Sequence, residues 1–258
     1  MKFDQAVTLI DLQARTALKA EAAKLYLSYI WWILEPLLFV AVFYVVFKFL
    51  LGRGTDNFVF FLMCGKVPYL WLSKSITVAS NSLLQNRGLI ASINIPKIIF
   101  PYISIQEVLY KQWVVFVVLF LMALFFDYAP GQIWLWLIPI ILTTYIMIVA
   151  LSLVGAILVT YVQDFRILIN LGMLFLMFAS GIFWDVNDIQ NEFWRDLVFT
   201  LNPLAFLIDT YRNVLMYNQP VDGYHLLMIA CVFMTMIFFM HQVFRNLNLK
   251  LAQQVLQS

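Results

Sequence analysis

Few side chains in this sequence have the type and spacing that chemistry requires. Charged residues make up 12% of the chain, and its densest group of acids lies between residues 185 and 209, with arginines only at 195 and 212. Two carboxylates can share general acid and base roles, but this segment places no nucleophile or further base beside them. The histidines, His225 and His241, are predicted at opposite ends of one apolar span, so they cannot share a metal ion.

Nucleotide-binding and metalloenzyme signatures are also missing from the sequence. It contains no G-x-x-x-x-G-K-[ST] phosphate loop, no H-E-x-x-H and no G-x-S-x-G. Cys64 and Cys231 fall in apolar runs, which predicts packed side chains rather than a disulfide or a metal site. We therefore predict no catalytic residue, no metal and no cofactor in this chain, and a transport or channel function rather than an enzyme.

The composition predicts a polytopic membrane protein of the all-α class. Hydrophobic residues make up 64% of the chain, and its net charge of +2 is too small to suggest binding to nucleic acid. The apolar runs are long enough to cross a bilayer, so they predict six transmembrane helices in a single transmembrane domain, 1–258. The predicted spans are residues 29–51, 58–81, 102–126, 132–160, 167–184 and 221–243.

The N-terminal stretch, 1–27, has apolar residues on one helical face and charged residues on the other. A helix of this kind lies in the membrane interface, and a solvated helix on a soluble partner is the alternative. Six spans put both termini on one side, together with most of the lysines and arginines that lie outside the spans. Because basic loops stay inside the cell, both termini are predicted to be cytoplasmic.

Residues 82–101 are a short polar interruption between two apolar runs. Leu83, Leu84, Leu89 and Ile90 recur near helical spacing, and two prolines close the segment. The segment carries positive charge and no acid, so it is predicted to be cytoplasmic. It is either a docking element for a soluble partner or a plain turn that lies on the lipid surface.

Residues 185–220 combine acids with a high apolar content. The dipeptide Asn202-Pro203 divides the stretch into two pieces, each too short to cross a bilayer. We predict two short re-entrant helices at the outer side, because such segments are tolerated where they pack on protein or line a cavity. A pair of surface helices in an ordinary outer loop is the alternative.

Five short segments, taken in chain order, resemble those of a known family. They are SYIWWILEP at 28–36, G-x-x-P at 65–68 with the aromatic cluster that follows it, NRGLIASINIPKIIFPY at 86–102, QDFRILINL at 163–171 and LNPLAFLIDTYRNVLM at 201–216. Together they resemble the first two spans, the coupling helix, the loop before span five and the outer re-entrant helices of ABC-2 type membrane subunits that export bacterial polysaccharides. Lys66 departs from the apolar residues typical of that family.

The resemblance implies a subunit of the bacterial inner membrane that exports lipid-linked O-antigen, capsular polysaccharide or teichoic acid. It also implies a homodimer that binds membrane lipids and two copies of a separate ATPase, which holds the ATP and Mg²⁺. A small-molecule ABC efflux permease shares this architecture. A membrane scaffold for envelope assembly is a further alternative.

Two sets of residues are predicted to work at the two faces of the membrane. Coupling to the ATPase is assigned to a short helix that can seat in a partner groove, where Arg87 can pair with an acid. Its residues are Leu84, Asn86, Arg87, Gly88 and Leu89. Closure of the outer mouth is assigned to the re-entrant segment, through Phe193, Trp194, Leu197, Asn202, Pro203 and Phe206.

Further predictions concern the substrate. A translocation path is assigned to Lys66, Tyr69 and Trp71, with Lys66 either contacting an acidic glycan or phosphate or snorkelling to the outer interface. Substrate entry is assigned to cations and indoles that can bind a phosphate and the first sugars, or that simply anchor the chain on anionic lipid. These residues are Arg15, Lys19, Lys24, Trp31 and Trp32.

One charged pair lies inside a predicted span. Glu107 and Lys111 are four residues apart on the third span, and we predict that they neutralise each other, because a lone charge in hydrocarbon is costly. A contact with the hinge that the ATPase drives is the alternative.

Overall fold

The computed structural model describes residues 3–24, 28–46 and 57–257, and within these ranges the chain is helical with short turns. The predicted all-α class is confirmed. Eleven α-helices are described: α1 Phe3–Lys24, α2 Ser28–Tyr44, α3 Phe58–Ser80, α4 Ser82–Gln85, α5 Arg87–Ser92, α6 Ile99–Phe125, α7 Leu137–Tyr161, α8 Phe165–Ala179, α9 Glu192–Leu201, α10 Pro203–Arg212 and α11 Gly223–Gln257. Short 3-10 turns, Gln132–Trp136 and Val186–Asp188, precede α7 and α9, and a π-helix, Asn213–Tyr217, follows α10.

Helix α3 is the centre of the core. It packs against α6 and α7 along most of its length, and most of its side chains are buried. Trp71 is fully buried, with Phe116 edge-on at 5.6 Å between ring centroids and Tyr145 stacked at 6.2 Å. Beside Pro68, which interrupts the helix, the Gln112 amide of α6 donates to the Val67 carbonyl at 3.2 Å. A polar contact therefore joins α6 to α3 at the residue before the proline.

Among the described residues, three segments are long and apolar enough to cross a membrane: Ile99–Phe125, Gln132–Tyr161 and Gly223–Gln257. Helix α8 is apolar but only 15 residues long, which is about 22 Å at the rise of an α-helix. The predicted first span is described only as far as residue 46, since residues 47–56 lie outside the described part of the chain. A multi-pass membrane protein is supported, and the count of six spans stays a prediction.

The C-terminal helix departs from the prediction. Span six is predicted to end near residue 243 with a short polar tail, whereas α11 continues without a break to Gln257. The extension contains no glycine or proline, and Leu251 and Val255 repeat at helical spacing. Both side chains are fully buried. The extension is therefore part of the fold, because its apolar face packs beside α5.

The helix bundle has two chemically different ends. We call the end that holds α4, α5 and the last part of α11 the basic end, where the Lys97 backbone amide donates to Asn248 at 2.9 Å. The opposite end holds the turn after α6 and residues 180–222, and there the Asn57 amide donates to Tyr128 at 2.7 Å. The predicted cytoplasmic and outer segments thus separate to different ends, and the orientation of the termini stays a prediction.

Candidate functional site

The predicted coupling segment folds as two short helices rather than one. Helix α4 ends at Asn86, whose side-chain amide donates to the Ser82 carbonyl at 2.8 Å, and α5 follows at once. Leu83 and Ile90 are buried, with 0% and 5% of their surface exposed. The apolar face therefore packs on this chain itself. The surface left for a partner is mostly polar or small, with Ile93 as its one larger apolar residue: Gln85, Arg87, Gly88, Ala91, Ser92, Ile93 and Asn94.

Arg87 contacts the end of α11. Its guanidinium donates to the backbone carbonyl of Leu256. Carbonyls in the last turn of a helix have no partner within the helix, and a cation beside them is favourable. Arg87 was predicted to pair with an acid on a partner, and in the single chain it ties the coupling segment to the C-terminal extension. A methyl group placed on Gly88 meets nothing within 4 Å, so this position faces open space.

Three of the predicted entry residues, Arg15, Lys19 and Lys24, lie on α1, which packs on α6, and the two tryptophans lie on α2. Arg15 pairs with Asp11 at 3.0 Å, and its guanidinium lies 5.8 Å from the centre of the Tyr110 ring. The Tyr110 hydroxyl donates to Asp11 and holds the pKa of that carboxyl below its usual value. Arg15 therefore contributes to the attachment of α1 to the bundle.

The other predicted entry residues are exposed or undescribed. Lys19 is exposed, and Trp31 is 47% exposed. The side chains of Lys24 and Trp32 lie outside the described part of the structure. The assignment of substrate entry to this surface stays a prediction.

The predicted pair on the third span is confirmed and belongs to a larger cluster. The Lys111 ammonium lies 2.9 Å from Glu107, and it also pairs with Glu21 of α1. A local i to i+4 spacing identifies the first contact from the sequence. The second joins residues 90 positions apart, so it depends on how α1 lies across α6.

Lys66 lies inside the bundle between α3 and α8. It is 3% exposed, with its ammonium 3.4 Å from the Met177 sulfur and 4.8 Å from the centre of the Tyr69 ring. The Tyr69 hydroxyl donates to the Met173 carbonyl at 2.9 Å. Lys66 thus does not snorkel to the outer interface in the single chain. Trp71, predicted on the same path, is enclosed in the core, which does not favour its contact with a substrate.

A second lysine of α3 finds an acid on the neighbouring helix. Lys74 forms a salt bridge with Glu35 of α2, and both side chains are about half exposed. An acid inside the first apolar run is therefore matched by a cation on the second, which lowers the cost of placing either one at membrane depth.

Asn202 and Pro203 form the corner between α9 and α10. The Asn202 side-chain oxygen accepts from the Ala205 amide at 3.2 Å, and its amide donates to the Ser180 hydroxyl at 2.9 Å. Pro203 occupies the first helical position, where its missing N–H has no cost. The dipeptide therefore ends one helix, caps the next and ties the corner to the end of α8.

The corner borders a cavity of about 560 Å³ with a largely apolar lining, which we call the corner cavity. One face of α9, Trp194, Leu197, Val198 and Leu201, lines this cavity together with Leu72 and Met147, which lie near the middle of α3 and α7. The corner therefore reaches deep along the bundle. Re-entry into a bilayer stays a prediction.

The predicted gate residues do not all lie together in the single chain: Trp194, Leu197, Asn202 and Pro203 line the corner cavity, whereas Phe193 and Phe206 do not. Phe193 and Trp194 are 67% and 56% exposed, and their rings contact each other edge-on at 5.5 Å between centroids. Phe206 is buried and stacks on His225 at 4.1 Å between centroids. Leu197 lies between these extremes. The exposed pair is available to a neighbouring molecule, whereas Phe206 stabilises the chain that contains it.

Arg212 is the residue that sequence reasoning missed. The sequence places it in the acid-rich segment 185–220 that is predicted to lie at the outer side, but it is only 1% exposed. Its guanidinium donates to the carbonyls of Gly181 at 2.7 Å, Ile182 at 2.9 Å and Phe61 at 3.4 Å, and lies 3.4 Å from the centre of the Phe61 ring. It therefore joins α10, the turn after α8 and the start of α3. Its position between the apolar residues of α10 and the following π-helix is the one sequence signal that it is buried.

Gly65 makes room for this arginine. A methyl group on Gly65 would lie 3.0 Å from the Arg212 guanidinium and 3.3 Å from the Ile182 backbone. Any side chain there would push the guanidinium away from its carbonyl partners. The glycine of the G-x-x-P segment thus has a packing role that its sequence context did not reveal.

The family model for the ABC-2 type transporter matches residues 13–216. The chain belongs to the ABC-2 type transporter family. The predicted family is thereby confirmed, and the match runs from the middle of α1 into the π-helix after α10, including both the predicted coupling segment and the Asn202-Pro203 corner. As a member of this family the chain is a membrane permease, and a transport subunit rather than a catalytic enzyme.

Curated relatives of this ABC-2 permease share most of its length. An O-antigen export system permease protein, RfbA, from Myxococcus xanthus is 25% identical over 252 residues, which is 96% of this chain and 95% of the relative. Two proteins of the same name from Klebsiella pneumoniae are 27% and 26% identical, each over 83% of this chain and 81% of the relative. The similarity therefore extends across the whole arrangement of helices.

No group of three metal-binding side chains occurs in the part of the chain that the structure describes. What the arrangement offers instead is a polar surface at the basic end, a buried lysine between α3 and α8, and a deep corner held by Asn202 and Arg212.

Proposed function

We propose that this permease is the membrane subunit of an ATP-driven exporter that moves a lipid-linked polysaccharide of the O-antigen or capsule type across the bacterial inner membrane. It works as a homodimer with two separate ATPase subunits, and both of its termini face the cytoplasm. The observation that carries this proposal is the similarity, over at least 83% of the chain, to three permeases named for O-antigen export.

The need for a separate ATPase follows from what the chain contains. It has no phosphate loop, so ATP and Mg²⁺ are bound by the partner. The partner docks on the exposed face of α4 and α5, at residues 85–94, and the link from Arg87 to Leu256 carries the movement of this segment into α11. Because α11 packs along α7, a displacement at the basic end reaches the membrane helices directly.

A second copy of the chain would cover surface that one copy leaves open. None of the described side chains of α8 is buried, and its exposed apolar residues include Ile167, Leu171, Leu174 and Phe175. Helix α8 lies beside Lys66 and ends at the Asn202-Pro203 corner. A homodimer that pairs across α8 would therefore enclose the proposed path and bring two α9 helices together, with Phe193 and Trp194 closing the outer mouth.

Deleting the gene tests the substrate. Lipid-linked glycan should accumulate inside the deletion strain while surface polysaccharide disappears, and the wild-type gene should restore both. Normal surface polysaccharide together with increased sensitivity to small toxic compounds would instead indicate a small-molecule efflux permease. Purification of the tagged chain tests the partner: a nucleotide-binding subunit should co-purify, and its absence would favour a scaffold.

A further inference from the structure

Two adjoining cavities open at the basic end of the bundle and share Ile98 and His241. The first, about 430 Å³, lies between the loop before α6 and α11 and is lined by Lys97, Arg245 and Asn248 among others. We call it the basic cleft. The second, about 490 Å³, lies between α1, α6, α7 and α11 and is lined largely by apolar side chains such as Val7, Ile10 and Ile99. We call it the apolar cavity.

The basic cleft carries positive charge without a nearby acid on its own segments. Neither residues 82–98 nor residues 223–258 contain an aspartate or a glutamate. The Lys97 ammonium uses one of its three donors on the Ile95 carbonyl at 3.0 Å, and Arg245 is exposed at the rim. One acid, Asp11, lines the apolar cavity, and it is paired with Arg15. Burial lowers the pKa of Lys97, and an anion in the cleft would oppose that shift.

The depth of the two cavities matches the boundary between lipid tails and headgroups. The apolar run of α11 ends at Met240, and Arg245 is the first charged residue after it. His241 lies between the cavities, where its two ring nitrogens contact the Tyr102 hydroxyl at 3.3 Å and the Ile237 carbonyl at 2.9 Å. The basic cleft thus continues into the apolar cavity, in the same order in which the charged headgroup of a phospholipid is followed by its acyl chains.

We propose that these cavities bind one anionic phospholipid from the leaflet at the basic end, with its phosphate against Lys97 and Arg245 and one acyl chain in the apolar cavity. Charge complementarity selects the phosphate, and the continuous apolar cavity distinguishes a lipid from free phosphate. The bound lipid contacts α1, the loop that follows α5 and the C-terminal half of α11. It therefore holds the predicted coupling segment and the interfacial helix in a fixed relation to each other.

Native mass spectrometry of the full chain in detergent, titrated with dioleoyl phosphatidylglycerol or dioleoyl phosphatidylcholine, tests the proposal. Phosphatidylglycerol should bind more tightly, and Lys97→Gln with Arg245→Gln should weaken it about tenfold or more, since each cation near a headgroup contributes about 1 kcal/mol. The matched control removes two exposed cations of the same end that do not line the cleft, Arg166→Gln with Lys250→Gln, and should stay within about twofold of wild type.

Each of the other outcomes is decisive. An equal loss of phosphatidylglycerol affinity in the control variant would mean that general surface charge binds the lipid. An unchanged preference for phosphatidylglycerol in the Lys97 and Arg245 variant would overturn the site. If inorganic phosphate at an equal concentration displaces the lipid, the ligand of the basic cleft is a free anion rather than a phospholipid. Ala6→Phe narrows the apolar cavity without changing a charge, so unchanged affinity in that variant would exclude the acyl chain. Should the double variant fail to fold, Arg245→Gln alone, at an exposed position, should weaken binding about fivefold.

Discussion

Replacing Arg212 with methionine should destabilise the corner at the opposite end more than any surface substitution. The guanidinium donates two short hydrogen bonds to the Gly181 and Ile182 carbonyls and stacks on Phe61. Methionine has a similar reach but no donor, so it leaves both carbonyls buried and unpaired. Each buried carbonyl left without a donor costs about 1–3 kcal/mol, so the two together cost about 2–6 kcal/mol.

This free energy corresponds to a large shift in thermal unfolding. At about 2–4 °C per kcal/mol for a chain of this size, the melting temperature of Arg212→Met should fall by about 10 °C. Arg212→Lys keeps the charge but cannot form the planar fork to two carbonyls, so an intermediate loss is expected. Scanning fluorimetry of the detergent-purified chain measures both.

Arg195→Met is the matched control. Arg195 is also an arginine of the outer segment, but its contacts with Glu192 and Asp196 are long, at 3.8 and 3.7 Å. Such exposed pairs contribute at most about 1 kcal/mol, so a shift of less than about 4 °C is expected. If Arg212→Met melts no lower than this control, the guanidinium does not hold the corner together and the reasoning is refuted.

Three further predictions concern the membrane helices and the basic end. Arg87→Glu should release the ATPase or uncouple hydrolysis from export, because it removes the contact with Leu256 and places an acid on the docking face. The control Lys250→Glu should leave ATPase binding and export intact. Full export by Arg87→Glu, measured in the deletion strain, would contradict the coupling role. Lys66→Met should lower polysaccharide export while the chain still folds, because methionine has a similar reach but no charge. Undiminished export would remove Lys66 from the path. Exchanging Glu107 and Lys111 should lower the yield of folded protein, because the carboxylate at position 111 would then face Glu21, and adding Glu21→Gln should bring the yield back to that of the wild type. A normal yield without Glu21→Gln would show that Glu21 is dispensable.

The features that follow from local sequence pattern were predictable. Apolar composition excludes a soluble domain, so the all-helical membrane class needs no tertiary information. The pairing of Glu107 with Lys111 follows from helical spacing alone, and the break at Asn202-Pro203 follows from the chemistry of proline and the capping side chain before it. In each case the interacting groups lie within a few residues of each other.

Partners that are distant in the sequence were decided by the tertiary structure. Arg212 reaches carbonyls 30 and 151 residues away, Arg87 reaches a carbonyl 169 residues away, and Lys111 finds Glu21 on another helix. A hydrophobic pattern shows which face of a helix is apolar, but not which neighbour that face meets. For this reason the sequence delimits the predicted coupling segment, whereas only the packed chain shows that its apolar face is already occupied and that α11 contacts it.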